Sequence, residues 1–310
     1  MTTSVALCTF NGEKFLRQQI DSILNQSIKV DEIVVCDDRS TDSTLKILEE
    51  YQQNFPNVFK IHQNENNLGS VKNFEKAIRL CENEIIFLSD QDDEWLPEKV
   101  NDYCKFFSDV EDVSVLCSTG FAMDEEGKIL DKLSVWDAPE IISENGSQIN
   151  FFESIAFIRN IATGASMAIR KSFLPEILPV PQTENIHHDE WIALVASYYN
   201  KFHFLQRKYF KYRFHQNQLV GGVFFDNTEV WKSYLKKFYS GSNQIRDFKM
   251  YRKHLRSLKN SMKKFAILAE KSQIQNQMLE QCLLMANERY YNLKIQVKKE
   301  FPIQSMFLKK

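Results

Sequence analysis

Short apolar runs alternate with segments of helical periodicity over the first 90 residues. Residues 3–9, 32–36, 58–62 and 85–88 are rich in β-branched and aromatic side chains and have the length of buried strands. Between them, apolar residues recur three and four positions apart, which predicts helices over about residues 13–26, 41–54 and 71–80, the second capped by Ser40 or Thr41. This alternation predicts an α/β fold: a Rossmann-like, mostly parallel sheet flanked by helices.

The pattern is less regular after residue 97. A helix is expected to begin near Pro97 and end near residue 107, followed by a strand at 113–117 and a hairpin turn at 124–127. A strand of small residues at 163–169, a helix over 187–199 and two strands at 202–205 and 209–214 are also predicted. From about residue 227 onward the pattern is helical.

Charge divides the chain into two parts. Residues 231–310 contain 18 Lys and Arg against 5 Asp and Glu, a balance of +13, whereas residues 1–230 contain 21 against 36, a balance of −15. We therefore expect a catalytic domain over residues 1–225 and a basic, helical C-terminal module over residues 226–310.

Composition argues for a cytoplasmic protein. No apolar run approaches the ~18 residues of a membrane span, and the N-terminus is predicted to be a strand, not a signal peptide. The six cysteines form no C-x-x-C pair and mostly lie in apolar runs, so they are expected to be reduced core residues.

Three carboxylates follow the apolar run at 85–88 within four residues: Asp90, Asp92 and Asp93. Ligands of open α/β sheets bind at the carboxyl ends of the strands, and clustered carboxylates are best tolerated around a cation. Oxygen ligands of this kind suit Mn²⁺ or Mg²⁺, bound through one or two carboxylates and substrate phosphates. The alternative is an acidic surface loop.

The strand at 32–36 also ends in a carboxylate pair, Asp37 and Asp38. A carboxylate there can accept a hydrogen bond from N3–H of uracil or thymine, or it can simply be an acidic residue before a helix. G-x-G-x-x-G and G-x-x-x-x-G-K-[ST] are both absent, so a diphosphate would have to be held through a metal at Asp90 and Asp92.

Four motifs in order resemble those of the family 2 glycosyltransferases with a GT-A fold. They are CTFNGEKFLRQQIDSILNQS, EIVVCDDRSTDST, ENNLGSVKNFEKAI and FLSDQDDEWLPEKV. The S-D-Q-D-D and H-D-x-W elements resemble bacterial rhamnosyltransferase-like members, and the resemblance covers roughly residues 3–220. It implies a nucleotide-sugar donor, an inverting transfer and a divalent metal.

The resemblance also implies roles for residues. Thr9, Asn11 and Asp38 would line the nucleoside pocket, and Asp90 and Asp92 would form the D-x-D pair, with Asp92 contacting the metal and Asp93 as a rival ligand. Two positions depart from the family. Arg39 replaces a common glycine, so the turn is expected to differ locally, and Lys72 replaces a common arginine in the nucleotide site.

Asp189, within the sequence HHDEW, is the candidate general base. Alone, an Asp at a helix start followed by Trp is more simply a cap, and it is the resemblance that favours the base. His188, Trp191, Arg213 and His215 are candidates for contacts with the diphosphate or the acceptor, although a lone His here is as often structural.

Three other classes of protein fit the sequence less well. A haloacid dehalogenase-type phosphatase needs its nucleophilic Asp after an early strand, and the first strand ends in Cys-Thr-Phe-Asn. A sugar nucleotidyltransferase needs a glycine- and arginine-rich loop there. A non-catalytic scaffold is disfavoured by the intact D-x-D and Asp189.

The expected function is transfer of a sugar from a UDP- or dTDP-sugar to a hydroxyl of a glycan acceptor, in bacterial cell-surface polysaccharide or glycoconjugate synthesis. The basic C-terminal module either packs on the catalytic domain or a second subunit, or contacts an anionic membrane at its inner face, where a lipid-linked oligosaccharide acceptor would be presented. Nucleic acid is not expected as a partner.

Overall fold

The computed structural model describes residues 1–144, 146–184, 186–215, 224–239 and 247–306. Most of the strands and helices expected from the sequence are present, with different bounds at several ends. The strands are β1 (Thr3–Thr9), β2 (Glu32–Asp37), β3 (Phe59–Gln63), β4 (Ile85–Ser89), β5 (Glu94–Trp95), β6 (Val115–Met123), β7 (Ile129–Leu130), β8 (Lys132–Ser134), β9 (Ala168–Arg170), β10 (Phe202–Arg213) and β11 (Phe224–Asp226).

The helices surround the sheet and continue into the C-terminal region. They are α1 (Leu16–Leu24), α2 (Thr44–Asn54), α3 (Ser70–Leu80), α4 (Lys99–Asp109), α5 (Ala138–Ser143), α6 (Phe151–Glu153), α7 (Leu174–Ile177), α8 (His188–Tyr198), α9 (Glu229–Tyr239), α10 (Phe248–Lys271), α11 (Asn276–Glu300) and α12 (Pro302–Ser305). A π-helical turn, Ser154–Ile158, continues α6 directly.

The main sheet has the strand order β3-β2-β1-β4-β9-β6-β10-β5, with β7 paired to β6. The first four strands are parallel, and β6 is parallel to β10. Strand β9 lies antiparallel between β4 and β6, and β5 lies antiparallel to β10. The predicted α/β fold with a mostly parallel sheet is confirmed, and β1, β2 and β4 are completely buried, as expected for central strands covered on both faces.

Three local expectations were wrong. Helix α2 begins at Thr44 rather than at residue 41, because the Ser40 side chain donates to Asp37 instead of capping the helix. The predicted strand at 163–169 is a 3₁₀ turn, Gly164–Ser166, followed by the short strand β9. The two strands expected at 202–205 and 209–214 are one strand, β10, whose register against β6 shifts twice.

The C-terminal helices pack onto the first 225 residues as well as onto each other. Helices α10 and α11 form an antiparallel pair, and α10 also packs against the π-helical turn. Phe265 of α10 is completely buried and lies 6.1 Å, ring centre to ring centre, from Phe157. The basic module therefore shares a core with the first 225 residues.

All six cysteines are free thiols, and five are buried, as predicted. Burial raises the pKa of the Cys36 and Cys104 thiols to about 11 and keeps them protonated. Among the residues that the structure describes, no helix combines the length and the apolar content needed to cross a membrane.

Candidate active site

The carboxyl ends of β2, β1 and β4 lie side by side at one edge of the sheet. These ends place Asp38, Thr9 and Asp90 next to one another, because the three strands are adjacent and parallel. Helix α8 begins at the same edge with Asp189 in its first turn. The sequence-predicted residues at this edge come from four separate elements.

The Asp38 carboxylate organises the loop before α3. Its Oδ1 accepts hydrogen bonds from Asn64 Nδ2 at 2.8 Å and from the Leu68 backbone N–H at 2.7 Å, and its Oδ2 accepts one from the Gly69 N–H at 2.9 Å. A carboxylate has about four lone-pair positions, so one on Oδ2 remains for a further donor. Gly69 has φ of 77°, a conformation that favours glycine.

Asp37 holds the neighbouring loop. Its Oδ1 accepts from the hydroxyls of Thr9 at 2.8 Å and Ser40 at 2.5 Å. The Ser40 hydroxyl in turn accepts from the Asn11 N–H at 2.9 Å, and Asn11 Oδ1 accepts from the Thr41 N–H at 2.8 Å. Thr9 is thus buried and supports the loop, whereas Asn11 lies exposed at its surface.

Arg39 does not change this turn as expected. It adopts φ of 68°, the left-handed conformation that the glycine common at this position would take. The backbone keeps this conformation at a cost of about 1–2 kcal/mol for a residue with a Cβ. The hydrogen bonds that Asp37 accepts from Ser40, immediately after Arg39, offset that cost.

A buried polar network behind Asp38 was missed by sequence reasoning. Asn64 Nδ2 also donates to Asn73 Oδ1 at 2.8 Å, while Lys76 Nζ donates to Asn64 Oδ1 at 2.7 Å. Asn73 Nδ2 donates to the Cys36 carbonyl at 2.8 Å. Sequence offers only a weak signal here: an Asn on the apolar face of the predicted helix at 71–80.

Lys72, predicted in the nucleotide site, is exposed on α3. It lines a cavity of about 510 Å³ whose other walls include Lys76, Arg79, Pro179 and Val180. Of these residues, Lys76 donates to Asn64 of the network behind Asp38. None of the other residues predicted in the nucleotide site, Thr9, Asn11, Asp38 and Asp90, lines this cavity.

The three carboxylates after β4 point in different directions. Asp92 is half-buried, and its Oδ2 lies 2.8 Å from His215 Nε2, with which it shares a hydrogen bond. Asp93 is 2% exposed, and its Oδ1 accepts from the Arg213 backbone N–H at 3.0 Å. Asp92 and His215 therefore face the site together, while Asp93 turns inward.

Arg213 is completely buried and holds the carboxylate loop in place. Its Nε donates to the Asp92 carbonyl at 2.8 Å, Nη1 to the Glu125 carbonyl at 2.9 Å, and Nη2 to Gln18 Oε1 at 2.6 Å and Glu94 Oε1 at 3.1 Å. Every guanidinium nitrogen thus donates to a protein acceptor, an arrangement that does not fit the predicted contact with the diphosphate.

The electrostatics of this loop suit a divalent cation. Burial, together with repulsion from Asp92 and Asp189, raises the pKa of Asp90 to about 8. Burial, together with repulsion from Asp92 and Asp90, holds the pKa of Asp93 well above its usual range, and Asp93 Oδ2 has no hydrogen-bond partner within the described ranges. A cation would relieve this excess of negative charge.

The protein alone does not enclose such a cation. In the part of the chain that the structure describes, no group of three or more His, Cys, Asp or Glu side chains could hold a metal ion. Mg²⁺ in phosphate-transferring sites is characteristically bound by one or two carboxylates plus substrate phosphates. Asp92, with His215 beside it and Asp90 nearby, fits that kind of site.

Asp189 is held at the start of α8 by two backbone donors. Its Oδ1 accepts from the Glu190 N–H at 2.6 Å and its Oδ2 from the Gly164 N–H at 3.2 Å. Burial raises the pKa of Asp189 to about 6. The alternative that it merely caps α8 is wrong, because the N-cap residue is His187 and the helix has no side-chain cap hydrogen bond. The pKa of Asp189 suits a general base near neutral pH.

Gly164 separates Asp189 and His188 from the carboxylates after β4. A Cβ at this position would lie 3.1 Å from His188 Nε2 and 3.7 Å from Asp90 Oδ2. The backbone of the 3₁₀ turn Gly164–Ser166 therefore passes close to both side chains.

His188 and Trp191 lie deeper in the protein than Asp189 does. The His188 ring stacks on Phe74 at 3.9 Å, and neither of its nitrogens has a hydrogen-bond partner among the described residues. Burial lowers the pKa of His188 to about 3, so the ring is neutral. Trp191 is completely buried and donates to the Ile177 carbonyl at 2.8 Å, which corrects its predicted contact with substrate: it is a core residue.

Gln91 links the two loops of the site and was not singled out from the sequence. Its side-chain amide accepts from the Phe10 N–H at 2.7 Å and donates to the Phe10 carbonyl at 3.0 Å. A Cβ on Gly12 would lie 2.3 Å from Gln91 Oε1, so only glycine leaves room for this contact. The loop after β1 and the carboxylate loop are therefore joined.

Comparison with known sequences gives matches over much of the chain. The family model "Glycosyl transferase family 2" matches residues 4–178. The uncharacterized glycosyltransferase MJ1057 of Methanocaldococcus jannaschii is 29% identical over 213 residues, which cover 68% of this chain and 70% of that protein. The dTDP-rhamnosyl transferase RfbG of Shigella flexneri is 38% identical over 98 residues, 30% of this chain and 34% of RfbG.

A solved structure shares the fold. It is the mannosyltransferase PcManGT from Pyrobaculum calidifontis in complex with GDP-Man and Mn²⁺. It superposes with a TM-score of 0.52 at 14% identity, covering 99% of this chain and 77% of that chain. The C-terminal helices are thus included in the superposed region.

Proposed function

The chain belongs to glycosyltransferase family 2 and has the GT-A fold, and we propose that it is an inverting, metal-dependent enzyme that transfers a sugar from a UDP- or dTDP-sugar to a hydroxyl of a glycan acceptor. The observation that carries this proposal is the placement of Asp90 and Asp189 on either side of Gly164, with Asp92 in the same loop as Asp90. Membership of this family argues against the alternative functions, which were a sugar nucleotidyltransferase, a haloacid dehalogenase-type phosphatase and a non-catalytic scaffold.

On the donor side, Asp92 and His215 would hold Mn²⁺ or Mg²⁺, with Asp90 close by and Asp93 turned away. The bound cation would neutralise charge that develops on the leaving diphosphate. The presence of Mn²⁺ with GDP-Man in PcManGT supports this assignment.

The nucleoside would lie between the loop after β1 and the loop that Asp38 organises. The remaining lone pair of Asp38 would accept N3–H of uracil or thymine, with Thr9 shaping the loop and Asn11 at its surface. Lys72 would contribute positive charge at the rim. The name of RfbG, a dTDP-rhamnosyl transferase, supports a thymine nucleotide and a rhamnosyl group.

Asp189 would act as the general base. The carboxylate would take the proton of the acceptor hydroxyl as that oxygen attacks the anomeric carbon. The bond between the anomeric carbon and the diphosphate oxygen breaks on the opposite face, and the nucleoside diphosphate leaves with the bonding electron pair. Neutral His188, behind Asp189, would keep this side of the site free of a competing positive charge.

The test is Mn²⁺-dependent release of UDP or dTDP from nucleotide sugars, with two variants and one control. Asp92→Asn should abolish transfer and greatly weaken metal-dependent donor binding. Asp189→Asn should keep donor binding and lower kcat by about 10²–10⁴-fold. Asp112→Asn, at a carboxylate that is 96% exposed, should change neither.

Retained metal-dependent donor affinity in Asp92→Asn would contradict the donor-side assignment. Loss of donor affinity with surviving turnover in Asp189→Asn would show that Asp189 is structural.

We propose that the acceptor is a glycan or a lipid-linked oligosaccharide. It would be presented at the inner face of an anionic membrane, and the enzyme would contact that face. Helix α10 exposes a basic stripe at helical spacing, formed by Lys249, Arg252, Arg256, Lys259 and Lys263. Each such residue contributes about 1 kcal/mol near an anionic surface, so the stripe would suffice for reversible attachment.

Sedimentation with vesicles tests this attachment. Binding to anionic but not neutral vesicles, lost at high salt and after charge reversal of the stripe, is the expected result. Homo-oligomerisation is the competing role, since α11 exposes Leu284, Tyr291 and Ile295. A stable dimer that binds neither kind of vesicle would assign the module to assembly.

A further inference from the structure

Of the two backbone donors that hold Asp189, one lies on α8, which α10 contacts through Lys264, and the other follows six residues after the π-helical turn, which α10 also contacts. One is the N–H of Glu190 and the other is the N–H of Gly164. We propose that α10 positions Asp189 through these two segments, with Lys264 as the positioning residue of the first route. This inference rests on the proposed role of Asp189 as the base.

The first route is direct. Lys264 Nζ donates to Glu190 Oε1 at 2.7 Å, and the two side chains are only 13% and 15% exposed. Because Glu190 follows Asp189 in the chain, this ion pair fixes the first turn of α8 against α10. Its shielded position distinguishes it from ion pairs on the protein surface, which contribute little to the free energy of unfolding.

The second route passes through the π-helical turn. The Ser261 hydroxyl donates to the Ala156 carbonyl at 2.7 Å, and the Ser257 hydroxyl lies 2.9 Å and 2.7 Å from the carbonyls of Phe157 and Ile158. The last carbonyls of a helix have no partner within it, so α10 supplies the missing donors. The chain then runs from Ile158 to Gly164 in six residues.

Removal of Lys264 would affect the site in a defined way. The Glu190 carboxylate would remain part-buried and without its cation, next to Asp189 in the first turn of α8. A charge left unpaired in such a place either moves toward solvent or repels its neighbour. Either response displaces the Glu190 N–H from Asp189 Oδ1.

The experiment compares Lys264→Met with Lys271→Met, at an exposed lysine of the same helix that lies outside the basic stripe. Lys264→Met should lower kcat about 10- to 100-fold, the range expected for slight misplacement of a reacting group, with metal-dependent donor affinity unchanged. Lys271→Met should retain both. Lys264→Arg, which keeps the charge, should recover most of kcat.

A second pair of variants tests the cause. The double variant Glu190→Gln with Lys264→Met removes both charges and should recover part of the lost kcat. Ser257→Ala combined with Ser261→Ala should lower kcat through the second route, again with donor affinity unchanged.

Equal kcat in Lys264→Met and Lys271→Met would overturn the inference. A joint loss of kcat, donor affinity and melting temperature with no rescue in the double variant would also overturn it, because Lys264 would then serve general stability alone. In either case loss of turnover in Asp189→Asn would leave the proposed function intact.

Discussion

Arg213 gives the sharpest test of how the carboxylate loop is built. Arg213→Met keeps the aliphatic stem over Phe15, whose ring lies 4.6 Å from the guanidinium carbon, and removes all side-chain donors. Breaking a buried ion pair from one side costs about 3–5 kcal/mol. Glu94 keeps a second cation, Lys211, at 2.8 Å, so the lower end of that range, about 3 kcal/mol, is expected.

The control is Arg207→Met on the same strand. Arg207 is 65% exposed and pairs with Asp102 at 2.6 Å, and exposed pairs of this kind contribute about 0–1 kcal/mol. At about 2 °C per kcal/mol for a chain of this size, Arg213→Met should lower the melting temperature by about 6 °C, and Arg207→Met by at most about 2 °C.

Donor binding separates this interpretation from the one drawn from the sequence. Since Arg213 holds the Asp92 carbonyl, its loss should weaken Mn²⁺-dependent binding of the donor together with the melting temperature. A direct contact between Arg213 and the diphosphate predicts weaker binding at an unchanged melting temperature. Equal melting temperatures in the two variants would refute the reasoning.

Three further perturbations follow from single contacts. Gln91→Ala removes two hydrogen bonds to Phe10, each of which contributes about 0.5–1.5 kcal/mol. The Kd of the donor should therefore rise several-fold. An unchanged Kd by calorimetry would show that the loop after β1 and the carboxylate loop are not coupled. Gly120→Ala places a Cβ 2.6 Å from the Phe210 ring and should destabilise the protein by about 1–3 kcal/mol in thermal unfolding; wild-type stability would mean that the ring can move. Burial raises the pKa of Asp189 to about 6, and only the ionised carboxylate can accept a proton. We therefore expect kcat to fall as the pH drops below 6 and to level off above it. A profile of kcat that stays flat through pH 6 would contradict the role of Asp189 as the base.

The central strands could be predicted because their signal is local. The runs ending at Asp37 and Asp90 are short, apolar and buried on both faces, so composition alone identifies them. Parallel pairing then brings their carboxyl ends to one edge without any knowledge of side-chain contacts. The position of the site follows from this topology.

The contacts within the site could not be predicted, because they join residues far apart in sequence. Arg213 reaches Gln18, 195 residues away, and no periodicity marks such a pair. The same holds for Trp191: the sequence places it two residues after Asp189 but does not reveal that its ring lies in the core. Burial at a helix start depends on what packs there, which a single sequence does not specify.

The antiparallel strand β9 explains why one edge of the sheet can serve both donor and acceptor chemistry. By pairing with β4, it brings the preceding turn at Gly164 beside Asp90, and the Gly164 N–H holds Asp189 on the other side. A residue with a Cβ there would contact both His188 and Asp90. The backbone at Gly164 thus lies between Asp90 and Asp189, which is the arrangement that the proposed cation site and the proposed base require.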